Sequence, residues 1–412
     1  MRRWFWIGVV LMCCVPATAA ALATPAPKAA ASPAFYQSAP AGWKAKPVGT
    51  LLKFQRTRRS CPALNGLEGY RVMYVSRGAL GHKVFETGMV FLPASGRVPR
   101  AGRPVVAWDH GTSGVSDSSA PSRYPWLYPE PASTPWDWYA QWVGKLGRMG
   151  YVVTCPDYEG LGTPGLHTYL HAAAEARATI DAVRAARQLA ARLGVATSRR
   201  WGVAGHSQGG QAALASAENA TSYGKGLSLK ATVAVAPAVE IATINALSAA
   251  DPIGWPYIGY TAWGIKAISP DFDFGTFCGP WLLPIIDQAG ELYYDDWWGL
   301  CLSGHWDGAY PDGSPGVPTE ADTLAAGYDS DPDVIAYLQA TEVGNAKASG
   351  AVLALQGTDD EFMTTFDTLV GKLQAQGDDL QYVILPGQRH DYALQFGWPW
   401  AKAFFEDRLP AR

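Results

Sequence analysis

The sequence predicts an α/β fold in which a mostly parallel sheet is covered by helices on both faces. Two β-rich segments, 70–77 and 82–92, flank a glycine-containing turn and predict a hairpin. After them, short apolar strands alternate with segments of helical periodicity. This alternation is typical of βα units that build a parallel sheet, which is buried on both faces.

The predicted elements follow in a regular order after the hairpin. The strands are expected at 104–108, 151–155, 200–204, 230–236, 351–355 and 380–385. The helices are expected at 136–149, 172–193, directly after residue 209, at 364–375 and near 400–408. The clearest helix is 172–193, whose apolar stripe includes Ala176, Ile180, Val183 and Leu189.

Composition bounds the class of protein. The chain has 412 residues, of which 48% are hydrophobic and 17% charged, so it can bury a large core. The net charge of -3 gives no basic field, which argues against nucleic acid as a partner. The sequence does not indicate an oligomeric state.

The α/β pattern is interrupted by a long insert. We predict one α/β domain made of residues 35–239 and 349–412, with an inserted, mainly helical cap at 240–348. The insert is rich in tryptophan, and a structureless loop of that length would be implausible. Its aromatic residues suit either an apolar ligand pocket or the core of the cap itself.

The N-terminus carries the pattern of a secretory signal peptide. Arg2 and Arg3 precede an apolar run at 4–15 and then small residues, which predicts cleavage after Ala19, with Ala21 as the next choice. A membrane anchor is disfavoured because the apolar run is shorter than the ~20 residues that span a bilayer. Residues 20–34 are rich in Ala and Pro and predict a flexible leader. The protein is therefore expected outside the cytoplasm, secreted or in the cell envelope.

Export permits disulfides among the remaining cysteines. Cys61, Cys155, Cys278 and Cys301 allow three pairings, and Cys278 with Cys301 is the favoured bridge because both flank one irregular region. Cys155 lies in a strand-like apolar segment and fits a buried thiol.

Residues 205–209 read Gly-His-Ser-Gln-Gly, between a predicted strand and a predicted helix. A strand that turns sharply into a helix strains its turn residue, and glycines on either side let the chains approach closely. Such a turn leaves Ser207 exposed above the sheet edge. Ser207 is the predicted nucleophile.

A serine nucleophile needs a base, which in turn is oriented by an acid. Of seven histidines, only His390 follows a late strand, and we predict that it is the base. The loop after strand 351–355 offers Asp360 as the acid, with Asp359 as its rival. The order Ser, acid, His along the chain is the one that this type of turn predicts.

The oxyanion of a tetrahedral intermediate needs hydrogen-bond donors. One is expected to be the backbone N–H of Gln208, directly after the nucleophile. The second is expected to be the N–H of Thr112, in the loop after strand 104–108. An ordinary glycine turn is the alternative reading of that loop.

His167, His171 and Glu175 share one face of a helix and have metal-ligand spacing. The H-E-x-x-H pattern is absent, and histidines at the start of a helix are more often structural. We expect no metal and no cofactor.

Together these residues resemble the secretory lipase family of α/β-hydrolases, the fungal lipase A type. The resemblance covers about residues 50–405 and rests on 108–114, Ala120-Pro121-Ser122, the D-Y-E-G-L-G of 157–162, the G-H-S-Q-G-G of 205–210 and the two late loops. It implies an α/β-hydrolase fold, a triad on Ser207, Asp360 and His390, and a helical lid between the sixth and seventh strands. Ser119 stands where many members have Cys, so a disulfide of relatives is not carried over.

The expected function is hydrolysis of carboxylic esters, lipid or otherwise apolar, through an acyl-enzyme. A cap over such a site would also allow transient contact with a lipid interface. A peptidase or a thioesterase on the same scaffold is the alternative, since a triad attacks any activated acyl group. A non-catalytic binding module is a further one, because this fold also hosts non-enzymes.

Overall fold

The computed structural model describes residues 33–57, 61–123, 135–249, 254–289 and 319–411. The predicted signal peptide, most of the predicted leader and Cys301 lie outside these residues. The predicted Cys278–Cys301 bridge therefore stays a prediction. No disulfide joins Cys61, Cys155 and Cys278 to one another, and Cys155 is buried in a strand as expected.

One sheet contains the nine strands of the described residues. Their bounds are β1 Leu51–Arg56, β2 Leu67–Arg77, β3 Lys83–Pro93, β4 Arg103–Asp109, β5 Val152–Pro156, β6 Thr197–His206, β7 Ser228–Val235, β8 Ala351–Gly357 and β9 Asp379–Leu385. The order across the sheet is β1-β2-β3-β5-β4-β6-β7-β8-β9. The pairs β1–β2, β2–β3 and β3–β5 are antiparallel. From β5 onward across the sheet, all neighbouring strands are parallel.

The described helices lie around this sheet and between β7 and β8. Their bounds are α1 Pro33–Gln37, α2 Pro135–Met149, α3 Ala172–Arg192, α4 Gln208–Asn219, α5 Ile241–Ala249, α6 Trp255–Ile268, α7 Leu282–Ala289, α8 Glu320–Thr323, α9 Pro332–Thr341, α10 Met363–Ala375 and α11 Tyr392–Arg408. Helices α3, α4 and α10 share one apolar core with the sheet, and α2 and α11 share the core on its other face. The predicted fold class, a mostly parallel sheet covered on both faces, is confirmed.

Three elements differ from the sequence prediction, and one of them is helix α1, which begins within the segment predicted to be a flexible leader. Strand β1 was not predicted, because it is an edge strand with several exposed residues and carries little apolar signal. Helix α11 begins at Tyr392 instead of near residue 400, and it contains Pro399. Glycine and proline in its first half weaken the helical pattern there.

Helices α5 to α9 occupy the predicted insert, within the part of it that the structure describes. Trp255 and Trp281 pack with ring centroids 4.5 Å apart and are almost fully buried, as is Trp263. These side chains belong to an apolar cluster that is built mostly by the insert and that also includes Tyr169, Leu170 and Phe362 of the α/β domain. The tryptophans seen there therefore build a core. None of the described helices combines the length and the apolar character needed to span a bilayer.

Candidate active site

Three loops meet at one edge of the sheet because β6, β8 and β9 run parallel and end there. Residue Ser207 follows β6 with φ 56° and ψ −119°, a backbone conformation that non-glycine residues rarely adopt. Helix α4 begins at the next residue. The strand, strained turn and helix are the nucleophile elbow that the sequence predicted.

The glycines of the elbow are required by close approach of backbones. A Cβ atom at Gly205 would collide with the carbonyl of Gly209, and one at Gly209 would collide with the carbonyl of Asp109. A Cβ at Gly210 would press on Pro237, 2.9 Å from its Cα. The glycines thus allow β6, α4 and the end of β4 to converge beneath Ser207.

The side chains of Ser207, His390 and Asp360 form one hydrogen-bonded chain. In the neutral imidazole, Ser207 Oγ donates to His390 Nε2 over 2.9 Å, and His390 Nδ1 donates to Asp360 Oδ2 over 2.9 Å. The Asp360 carboxylate is buried and also accepts the N–H of Phe362 at its other oxygen, at 2.9 Å. The structure thus brings the three predicted residues together.

The rival acid, Asp359, lies elsewhere. Its side chain is exposed and accepts the hydroxyl of Thr358 over 2.9 Å. Its backbone N–H donates to the carbonyl of Gln388 and so joins the two late loops. The loop therefore turns Asp360 inward and Asp359 outward.

The carboxylates around His390 favour its charged form. Burial of the ring acts to lower the pKa, but the charge and hydrogen bond of Asp360, with the charges of Glu361 and Asp391, raise the pKa of His390 to about 9. Asp360 thus fixes the ring tautomer and stabilises the imidazolium. The imidazole can accept a proton from Ser207 only in its neutral form. The fraction of His390 in this form increases as the pH rises.

The two predicted oxyanion donors lie beside the elbow. The N–H of Gln208, at the first turn of α4, has no hydrogen-bond partner among the described residues. The N–H of Thr112 likewise has none there, and the Thr112 hydroxyl hydrogen-bonds the hydroxyl of Tyr169 over 2.8 Å. Thr112 thus contacts Tyr169, which lines the same cavity as Ser207.

A buried hydrogen-bond chain that the sequence did not predict ties the loops together. The hydroxyl of Tyr139 donates to Nδ1 of His206 over 2.9 Å, and His206 Nε2 donates to the backbone carbonyl of His390 over 3.2 Å. The backbone N–H of Gly111 in turn donates to the Tyr139 hydroxyl. Burial and the neighbouring His390 hold the pKa of His206 well below its usual range, so this ring stays neutral.

A second buried cluster anchors the side chain of Gln208. Its amide Nε2 donates to Glu175 over 2.6 Å and lies 3.1 Å from His167 Nε2. The same Glu175 oxygen accepts the N–H of Leu170 over 3.0 Å. Burial raises the pKa of Glu175 well above its usual range. The sequence had singled out Glu175 only through its metal-ligand spacing.

The histidines of that spacing are engaged in the fold. Nδ1 of His167 hydrogen-bonds the carbonyl of Glu159 over 2.7 Å, and Nδ1 of His171 caps helix α3 at Ala174. Burial lowers the pKa of His167 to about 3 and that of His171 to about 4. Across the described ranges, the grouping with ligand atoms close enough for a metal is Asp360, Glu361 and His390. Two of these residues, Asp360 and His390, belong to the hydrogen-bonded chain from Ser207.

A narrow, mostly apolar cavity of about 30 Å³ adjoins Ser207 beneath α5 and α6. Its walls come from the end of β6, the insert and the two late loops. The lining residues include Tyr169, Leu170, Ala238, Ile241, Ile244, Asn245, Tyr257, Thr261 and Phe362.

Comparison with known proteins finds one matching family. The model of the secretory lipase family matches residues 140–272. No protein of the curated collection matches the sequence significantly.

Solved structures resemble most of the chain in fold. The rice cell wall degrading esterase LipA from Xanthomonas oryzae, in a ligand-bound form, is 20% identical, with a TM-score of 0.67 over 89% of this chain and 100% of that one. Candida antarctica lipase A is 16% identical, with a TM-score of 0.70 over 90% of this chain and 85% of that one. A putative hydrolase from Legionella pneumophila is 17% identical, with a TM-score of 0.67 over 86% of this chain and 98% of that one.

The fold, the elbow and the family match define a carboxylic ester hydrolase of the α/β-hydrolase fold. The predicted resemblance to secretory lipases is confirmed by the family model, and the structural neighbours include an enzyme of the lipase A type.

Proposed function

We propose that the protein is a secreted serine esterase that cleaves esters with apolar acyl groups through an acyl-enzyme. The observation that carries this proposal is the hydrogen-bonded chain from Ser207 through His390 to the buried Asp360. The chain of hydrogen bonds begins at a small cavity whose lining is mostly apolar.

In the proposed acylation step, His390 takes the proton of Ser207 while Oγ attacks the ester carbonyl. The resulting oxyanion accepts hydrogen bonds from the N–H groups of Gln208 and Thr112. The imidazolium, stabilised by Asp360, then donates its proton to the alcohol oxygen, and the C–O bond breaks. The alcohol leaves and the acyl group stays on Ser207.

In the proposed deacylation step, a water molecule takes the place of the alcohol. His390 removes a proton from the water, which attacks the acyl carbonyl and forms a second oxyanion. Collapse of this intermediate returns the proton to Ser207 and releases the acid. Both proposed steps use only groups of the protein and water.

The proposal also includes export of the protein and a separate role for each segment of the chain. Cleavage after Ala19 would release a protein whose residues 20–34 lead into the α/β domain of 35–239 and 349–412. The insert at 240–348 would act as the cap, because α5 and α6 cover the cavity beside Ser207. The match of residues 140–272 to the secretory lipase family supports export.

Replacing Ser207 with Ala tests the proposal. Loss of a triad nucleophile lowers turnover by about 10⁶-fold in comparable enzymes, and we expect a fall of that order on p-nitrophenyl butyrate. Ser222→Ala is the matched control, because Ser222 is an exposed serine in the turn after α4 and should leave turnover unchanged. Substantial ester hydrolysis by a folded Ser207→Ala protein would overturn the proposal.

A further inference from the structure

One polar side chain stands out in the cavity beside Ser207. Asn245, on α5, lines this cavity and is fully buried. Its Nδ2 has no hydrogen-bond partner among the described residues. Buried amides in native proteins are almost always paired, so an unpaired one calls for an explanation.

The rest of the Asn245 amide is held in place. Its Oδ1 accepts the hydroxyl of Thr261, on α6, over 3.2 Å. That hydroxyl is also 2.9 Å from the carbonyl of Tyr257, one turn earlier in the helix. The side chain is therefore oriented by the two helices that cover the site, and its donor group is left over.

The surroundings of the amide offer it no partner within the described cavity. The cavity is lined mostly by apolar side chains, among them Ile241, Ile244 and Phe362, and Nδ2 forms no hydrogen bond with its polar groups. A donor that is fixed, desolvated and unpaired in an apolar pocket favours a ligand that brings an acceptor to it.

We propose that Asn245 recognises an oxygen acceptor, such as a keto or hydroxyl oxygen, on the acyl group of the ester. This inference rests on the proposed function and adds a substrate class to it: short acyl groups that are apolar along most of their length and carry one oxygen beyond the ester.

The acyl group is the part of the substrate that fits this place. The alcohol must depart past His390 and be replaced by water, so it needs an open path. The acyl group stays bound to Ser207 through both steps. The enclosed cavity beneath α5 and α6 suits the part that stays.

A pair of substrates tests the inference. One is a p-nitrophenyl ester of a short oxo acid. The other is the same ester with a CH₂ group in place of the C=O group of the oxo function. The pair is made with the oxo group at each successive carbon beyond the third of the acyl chain, where it does not activate the ester carbonyl. We expect kcat/KM of the wild-type protein to favour the oxo ester by about tenfold at one position, the usual net effect of one neutral hydrogen bond.

Asn245→Leu should remove this preference and bring the ratio of the two substrates to about one. Thr261→Val should weaken the preference, because it frees the amide to rotate. Leu247→Asn, on the exposed face of the same helix, adds an amide outside the cavity and should leave the ratio unchanged. Thermal unfolding of each variant checks that it folds.

Two results would overturn the inference. One is equal turnover of oxo and methylene esters by the wild-type protein at every position of the oxygen. The other is a preference that survives unchanged in Asn245→Leu. Either result leaves ester hydrolysis intact, whereas failure of the proposed function would show as hydrolysis that persists in Ser207→Ala.

Discussion

The charges around His390 set the pH range in which the site can work. His390 must be neutral to accept a proton, and its pKa is raised to about 9 by neighbouring carboxylates against the opposing effect of burial. The rate constant kcat/KM should therefore rise with pH and level off above the pKa of the free enzyme. An alkaline pH optimum follows from the geometry.

Glu361 is the carboxylate that can be neutralised without touching the proposed triad. It is exposed, lines the cavity and adds to the raised pKa of His390. Glu361→Gln removes a charge that favours imidazolium, so the inflection of kcat/KM should move to lower pH. At pH 7 we expect kcat/KM to increase by about two- to threefold, which corresponds to the free energy of one exposed ion pair.

Asp359→Asn is the control for this measurement, because Asp359 is an exposed carboxylate in the same loop whose side chain bonds to Thr358. It should move the inflection less than Glu361→Gln does. An inflection that stays in place or moves to higher pH in Glu361→Gln would contradict the electrostatic account of His390.

At the scale of elements, the elbow depends on backbone contact between β4, β6 and α4. A methyl group at Gly209 would meet the carbonyl of Asp109, which cannot move without disturbing the sheet. Gly209→Ala should lower the free energy of unfolding by about 1–3 kcal/mol, as overpacking does. Urea unfolding measures this change.

Gly371→Ala is the matched control, since Gly371 lies in α10 with open space where the Cβ would be. Alanine favours a helix over glycine, so this variant should gain about 0.5–1 kcal/mol. A Gly209→Ala protein as stable as the wild type would show that the strand, turn and helix are less tightly packed than described.

The Tyr139–His206 chain couples three loops of the site. Removing the Tyr139 hydroxyl leaves Nδ1 of His206 buried without its donor and loosens the contact with the His390 backbone. Tyr139→Phe should therefore lower kcat by about tenfold, with little change in KM, because the chemistry depends on the position of His390.

Tyr151→Phe controls for general destabilisation. The Tyr151 hydroxyl is also buried and donates to the carbonyl of Leu409 over 2.8 Å, but this contact lies at the end of α11, away from Ser207. It should cost similar stability and leave kcat unchanged. Equal effects of the two variants on kcat would mean that Tyr139 has no positioning role.

The sequence predicts those parts of the fold that local chemistry determines. The central strands were found because both their faces are buried, and the elbow was found because glycines, serine and a helical run occur together. The acid and the base were predicted because they follow strands that end at the elbow's edge. Strand β1 was missed because an exposed edge strand has a weak apolar pattern.

The positioning residues could not be predicted because their partners are distant in the chain. Tyr139 on α2 meets His206 at the end of β6 only in the folded chain, and Glu175 meets Gln208 only through the packing of α3 beside α4. Asn245 stands in a segment without a repeating pattern. The order Ser, acid, His along the chain is enough to predict the triad. The contacts of Tyr139, Glu175 and Asn245 depend on tertiary structure.

At the scale of the whole molecule, a rigid sheet holds the reactive groups and the insert covers them. Ser207, Asp360 and His390 follow β6, β8 and β9, whose parallel pairing brings their ends together. The described helices of the insert have their own aromatic core and place α5 and α6 over the cavity. In the proposed mechanism, the sheet positions the reacting groups and the insert covers the cavity beside them.

The most direct test of the central claim is labelling with a fluorophosphonate, followed by intact-mass measurement and peptide mapping. Such probes phosphonylate a serine that is activated by a histidine and an oxyanion hole. The account predicts one adduct per chain, on the peptide that contains Ser207, and none in Ser207→Ala. An esterase that is active but unlabelled, or labelled at a different serine, would contradict it.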